Sequence, residues 1–231
     1  MMATAIALVG DFSESVIAHQ AINQTFELLT ATDIPAKGTW IGTDTITSAQ
    51  DLSGYNGIWL VPGSPYKSLA GALTAVHHAR TQAIPYFGSC AGFQHAIMEY
   101  CTNVLGWEGV THEEINETGQ GVEIISKLSC SLVEESEELL LATGSILARA
   151  YQSDSFRGTY HCNYGLNPKY REQLFDAHLQ AAAFNRQQDI RAFELPNHPF
   201  FVATLFQPER SSLKGQISPI INEFIKVAAN S

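Results

Sequence analysis

The stretch Ile84-Pro85-Tyr86-Phe87-Gly88-Ser89-Cys90-Ala91-Gly92-Phe93-Gln94-His95-Ala96-Ile97-Met98-Glu99-Tyr100-Cys101-Thr102 decides the fold. Residues 84–87 are an apolar run that predicts a short buried strand, and 93–102 predict a helix. Gly-x-Cys-x-Gly at 88–92 compresses the connection into one sharp turn. Small residues on both sides let strand and helix approach, and so tight a turn strains the backbone of its central residue. Cys90 would then stand at the carboxyl end of a sheet, where open α/β sheets place ligands. It would also face a helix N-terminus, whose partial positive charge favours thiolate over thiol. The amide of Ala91 would be placed to donate to a developing oxyanion. A lone cysteine is more often an inert small hydrophobe. The strand–turn–helix setting makes Cys90 a candidate nucleophile, whereas Cys101, Cys130 and Cys162 lack it and are expected to be structural.

Outward from this turn, apolar runs alternate with helical patterns. Residues 6–9 and 58–61 predict buried strands ending at Gly10-Asp11 and Pro62-Gly63. Between them Ala18, Ala21, Ile22, Thr25, Leu28 and Leu29 keep helical spacing, with Ser13 or Ser15 as the expected cap. Residues 69–82 predict a further helix and 200–206 a strand, and Ser218-Pro219 opens a last helix with serine as N-cap and proline at the first helical position. Residues 122–125 are β-like. The acidic run 134–138 is expected to be a solvated turn or helix start. Alternating strands and helices predict an α/β fold, an open, mainly parallel twisted sheet with helices on both faces.

At 231 residues the chain fits one α/β domain. The net charge is −10 and the basic residues are scattered singly, which argues against nucleic acid or an anionic membrane as partner. The apolar start has no basic flank, no run approaches a membrane span, and the four cysteines show no Cys-x-x-Cys pair or metal-finger spacing. These features predict a cytoplasmic protein with reduced thiols and no metal.

Gly88-Ser89-Cys90-Ala91-Gly92-Phe93-Gln94 resembles the Gly-x-Cys-x-Gly-x-Gln elbow of class I glutamine amidotransferases, and most of the chain is similar to the glutaminase half of CTP synthase. The likeness runs through residues 6–17, Val61-Pro62-Gly63, Asn103-Val104-Leu105-Gly106-Trp107-Glu108 with Glu114, Tyr164 with Asn167, and 198–202. It implies a flavodoxin-like three-layer sandwich, a single glutaminase-like domain over 1–231, and hydrolysis of glutamine or a related small amide through a thioester, with no cofactor. Cys90 would attack the amide, the Gly63 and Ala91 amides would hold the oxyanion, and Gln94, Glu114 and Tyr164 would bind substrate. Glu209 matches the acid of the triad. The partners implied are an ammonia acceptor or synthetase protein, with a homo-oligomer left open.

Four departures bear on this expectation. The family's His-Pro-Glu is Gln207-Pro208-Glu209 here, so the triad histidine is missing. Ser64 replaces the second glycine of the oxyanion loop, Asn163 an arginine, and no counterpart of the synthetase domain is present, so this chain is not expected to make CTP by itself. Without a base, hydrolysis should be slow. His161 is the preferred substitute base over His112 and His95, which are expected to be ordinary hydrogen-bonded side chains. Two alternatives stand beside the enzyme: a catalytically impaired pseudoenzyme that binds metabolites or regulates, and thiol redox chemistry at Cys90.

Overall fold

The computed structural model describes residues 3–176 and 178–231. In chain order the elements are β1 (Thr4–Val9), α1 (Ile17–Leu29), β2 (Ala36–Ile41), β3 (Gly57–Leu60), α2 (Leu69–Thr81), β4 (Tyr86–Ser89), α3 (Ala91–Asn103) and β5 (Val110–His112). They continue as β6 (Val122–Leu141), α4 (Ile146–Tyr151), β7 (Ser155–Leu166), α5 (Arg171–Leu174), β8 (Gln180–Phe184), β9 (Ile190–Glu194), β10 (Phe201–Thr204) and α6 (Pro219–Ala228). The strands form one mixed sheet in the order β2-β1-β3-β4-β10-β9-β8-β6-β5, with β7 paired to β6.

The first half, β2-β1-β3-β4-β10, is parallel, as the buried apolar runs require. Helices cover both of its faces. Trp59 of β3 packs on Phe26 of α1 and Phe224 of α6, with ring centroids 6.3 and 6.4 Å apart. Its neighbour Leu60, which points the other way in the pleat, lies beneath Gly92 of α3. The second half is antiparallel from β10 through β9 and β8 to β6. None of the described helices is long and apolar enough to cross a membrane.

One pairing positions the site. β10 runs parallel beside β4, with Thr204 opposite Ser89, and the Cys90 amide donates to the Thr204 carbonyl at 2.8 Å. Both strands therefore leave the sheet at the same end. The turn at Cys90 and the segment 207–209 emerge together.

Two local expectations are corrected. The acidic run 134–138 lies inside the 20-residue strand β6 rather than in a turn or helix start. Two of its carboxylates pair with arginines of the β8–β9 hairpin, Glu137 with Arg191 at 2.7 Å and Glu138 with Arg186 at 2.5 Å. That pairing offsets the low β propensity of glutamate. Helix α1 begins three residues later than a Ser13 cap would set it and one later than a Ser15 cap would; Val16 is its N-cap and makes no side-chain capping bond. Ser13 and Ser15 bond each other instead. Ser218 and Pro219 do open α6 as expected, although the Ser218 hydroxyl is bonded to Tyr151 at 2.8 Å.

The glycines of the turn are required by close approach. A Cβ on Gly92 would stand 2.2 Å from the Leu60 carbonyl oxygen, and one on Gly88 would stand 2.8 Å from the Gly92 backbone. Gly92→Ala gains roughly 1 kcal/mol of helix propensity. Overpacking against fixed backbone costs about 1–3 kcal/mol or more and should win. Urea unfolding is expected to show a net loss of stability; a variant as stable as the parent would mean that the strand and helix are not in contact there.

Candidate active site

Cys90 sits on the bend at φ 53°, ψ −103°, left-handed backbone that a side chain adopts only when its surroundings hold it. It is the N-cap residue of α3 and lines a cavity of about 350 Å³ whose walls mix apolar with polar and charged side chains, so the sulfur is not sealed in hydrocarbon. The same cavity is bounded by Gly63, Gln94, Glu114, His161, Tyr164 and Gln207. The chain thus gathers in one place most of the residues that sequence reasoning singled out. Ala91 opens α3, so its amide is one of the free donors at the helix N-terminus.

The loop carrying Gly63 has φ +118° at that glycine and is fixed by a histidine that the sequence did not flag. His19, buried in α1, accepts from the Ser13 amide through Nδ1 at 3.0 Å. Nε2 must therefore carry the proton, and it donates to the Pro62 carbonyl at 2.7 Å. Burial lowers the pKa of His19, which keeps the ring neutral in this role.

A second chain of bonds holds the opposite wall. The Gln94 side-chain amide donates to the Tyr164 carbonyl at 2.9 Å and accepts from His112 Nε2 at 3.1 Å. His112 Nδ1 accepts from the Glu114 amide at 3.1 Å. Gln94 keeps one N–H and one lone pair for anything else. Desolvation pushes the pKa of His112 down to about 3 and that of His95 to about 4. His95 bonds the Ala91 carbonyl at 2.8 Å. Both are framework histidines, as expected. Glu114 is half-buried on the same wall.

Glu209 is fully buried, and Ser89 donates to its Oε1 at 3.2 Å. Its Oε2 has no hydrogen-bond partner among the described residues. Burial pushes its pKa up to about 8, with the Ser89 bond and Arg210 only partly opposing the shift. Without a histidine to charge against it, this carboxyl is mostly neutral at pH 7. Gln207 is also buried, and its Oε1 accepts from Arg210 at 3.3 Å.

At the rim, Arg210 grips Glu134 through two bonds of 3.0 and 2.5 Å, and His161 Nδ1 bonds the same carboxylate at 2.8 Å. Hydrogen bonds from Arg210 first, then from His161, lower the pKa of Glu134. His161 borders the cavity, but its side chain is 54% exposed and turned toward Glu134. Alternation along β7 sends residue 161 outward and residue 162 inward.

That alternation overturns one expectation. Cys162 faces the cavity beside Cys90, and the two sulfurs are joined as a disulfide with Cα atoms 6.5 Å apart. The four cysteines are therefore not all free thiols, and Cys162 belongs to the site. Cys101 and Cys130 are free. Among the described residues no group of three or more histidine, cysteine or acidic side chains could hold a metal ion.

Comparison with known proteins fits this geometry. Residues 29–227 match the family described as Glutamine amidotransferase class-I. CTP synthase of Helicobacter pylori is 30% identical over 207 residues, 82% of this chain and 38% of that one. CTP synthase of Saccharolobus solfataricus is 29% identical over 239 residues, covering 97% of this chain and 45% of that one. The chain thus spans less than half the length of these relatives. The solved glutaminase domain of Trypanosoma brucei CTPS, with bound acivicin, superposes with a TM-score of 0.88 at 24% identity, covering 99% of this chain and 94% of that one. A glutamine amidotransferase from Thermotoga maritima superposes at 0.58 with 12% identity, covering 98% of this chain and 91% of that one. At such identities these two structures speak for the fold alone.

Proposed function

The chain belongs to the class I glutamine amidotransferase family, and from that premise we propose that it is a CTP synthase-like glutaminase domain whose Cys90 hydrolyses glutamine or a related small amide slowly. The observation that carries this reading is Cys90 on its strained bend, opening onto a cavity shared with Gly63, Glu114 and Gln207. In the reduced protein the Cys90 sulfur attacks the amide carbon. The Gly63 and Ala91 amides receive the oxyanion, a term worth several kcal/mol in such sites. Ammonia leaves, and water hydrolyses the thioester. Glu114 and Tyr164 hold the amino-acid end of the substrate, and Gln94 fixes the wall on which Tyr164 stands.

The departing ammonia needs a proton that Gln207 cannot give. His161 is the group at hand: Glu134 holds its Nδ1 and leaves Nε2 for proton exchange. The ring is exposed and must reorient to serve, so it restores only part of the roughly 10²–10⁴-fold contribution of a positioned acid–base group. An acceptor or synthetase partner would take the ammonia.

Incubating the reduced protein with glutamine should release ammonia, and a diazo-ketone glutamine analogue should add to Cys90, seen as one adduct by intact mass. No adduct under conditions that label an ordinary glutaminase would sink this reading. The engagement of Gln207 by Arg210 and the neutral Glu209, whose Oε2 has no partner among the described residues, favour a second reading, a metabolite-binding module without turnover. Calorimetry distinguishes it: metabolite binding unaffected by Cys90→Ala, with no ammonia released, would support the module and exclude the enzyme.

A further inference from the structure

Cys90 is joined to Cys162, a residue that comes from a different element 72 positions along the chain. The Cα separation of 6.5 Å lies within the span a disulfide bridges without moving backbone. The strand pleat aims Cys162 at the nucleophile: residues 158, 160 and 162 of β7 are buried while 157, 159 and 161 are exposed. Cys90 Sγ also lies 3.7 Å from the His161 carbonyl oxygen, so β7 runs directly along the bend. A purely structural staple would have no use for the cavity, the helix N-terminus or the glycines that set Cys90 on its bend. The other two cysteines offer a contrast, since Cys130 is exposed and the buried Cys101 thiol is pushed up to about 12 by desolvation.

We propose that Cys90 and Cys162 form a two-cysteine redox centre, in which a small hydroperoxide oxidises Cys90 and Cys162 resolves the product to a disulfide. The Cys90 thiolate attacks the terminal oxygen of the peroxide. An S–O bond forms, the O–O bond breaks, and the alkoxide or hydroxide leaves and takes up a proton. Cys90 is now a sulfenic acid, two electrons more oxidised. The Cys162 thiol then attacks that sulfur, the S–S bond forms, the S–O bond breaks, and hydroxide leaves with the Cys162 proton as water. Overall, two thiols and one hydroperoxide give one disulfide, one alcohol or water, and one water. This chemistry suits a site lacking a histidine, because an oxygen leaving group stabilised by the α3 amides and Arg210 needs less acid help than an amine. It goes beyond amide hydrolysis and uses the same sulfur, so the disulfide form cannot hydrolyse amides.

The test uses the full chain, reduced, desalted without oxygen and given one equivalent of hydrogen peroxide. Titratable thiols should fall from four to two, and peptide mapping should place the bond between Cys90 and Cys162. Cys90 should react about tenfold or more faster than Cys101 and Cys130, because it alone of the three stands at a helix N-terminus, which favours the thiolate. Cys162→Ser should accumulate Cys90 sulfenic acid, trapped by dimedone. Retention of four thiols, or overoxidation of Cys90 to sulfinic acid while Cys162 stays free, overturns the proposal, and the wild-type map alone decides this if a variant fails to fold. Labelling of the reduced protein by the diazo-ketone analogue separates the two readings. An adduct without a peroxide-induced disulfide leaves the amidase and removes the redox centre, and the converse leaves only the redox centre.

Discussion

Gln207→His is expected to raise glutamine hydrolysis in the reduced protein by about 10²–10⁴-fold, the usual worth of a positioned general acid–base group. Residue 207 borders the same cavity as Cys90 and stands two positions before Glu209 in a segment that leaves the sheet beside the bend. An imidazole there would meet a buried carboxyl whose Oε2 has no partner among the described residues. That carboxyl would fix the tautomer and stabilise the imidazolium that forms as the thiol proton is taken. The change removes only the contact from Gln207 to Arg210, and Arg210 keeps its two bonds to Glu134. Ammonia release against substrate concentration is the measurement. The gain should appear in kcat, because the new group acts on the proton in flight and not on substrate binding. In that background His161→Ala should have no further effect, whereas in the parent it should lower the residual rate. An unchanged kcat would mean that the substrate wall has been remodelled too, and the amidase reading would fall.

The elbow was legible because its chemistry is local: two glycines, a cysteine, an apolar run before and a helical pattern after. Its closeness of packing, with Gly92 against Leu60, is what those glycines are for. Glu209 and Gln207 were legible through resemblance alone, since a sequence of three residues far from position 90 carries no local sign that it folds beside it. Cys162 was not legible. Its inward direction depends on the phase of β7, a strand whose alternation is apolar only in part, and on its pairing with β6 through two register shifts. Of β6 only the start, residues 122–125, was legible; the rest was hidden by its glutamates, which break the apolar pattern while finding Arg186, Arg191 and Arg210 across the fold. His19 was hidden for a different reason. A histidine in an amphipathic helix is ordinarily just packed, and only the Pro62 carbonyl beside it gives it a task.

Glu209→Gln should gain stability relative to the parent as pH rises from 6.5 to 8. The folded carboxyl titrates near 8 because burial outweighs its hydrogen bond to Ser89, while in the unfolded chain it returns to the ordinary value of 4.5. Between these values the folded state holds a proton that the unfolded state has lost. Its stabilising contribution is therefore complete below about 4.5 and is lost as pH climbs through 8. The slope approaches about 1.4 kcal/mol per pH unit for one proton. The buried histidines work in the opposite direction and in a different window. His19, His95 and His112 have pKa values lowered by desolvation, so they destabilise the fold only as the pH falls below about 6.5. The lowered histidines, His78 and His198 among them, titrate alike in parent and variant, so the difference between the two reports Glu209. In urea unfolding of the reduced proteins, the parent should lose about 1–2 kcal/mol relative to Glu209→Gln between pH 6.5 and 8. The isosteric amide keeps the bond with Ser89 and removes the charge. Superimposable pH profiles for parent and variant would show that the carboxyl is solvated or paired, and the argument that a lost histidine has left it neutral would fail. In Gln207→His the same profile should flatten without touching Glu209, because a cationic partner lowers the carboxyl pKa, so stability and catalysis report on one pairing from two sides.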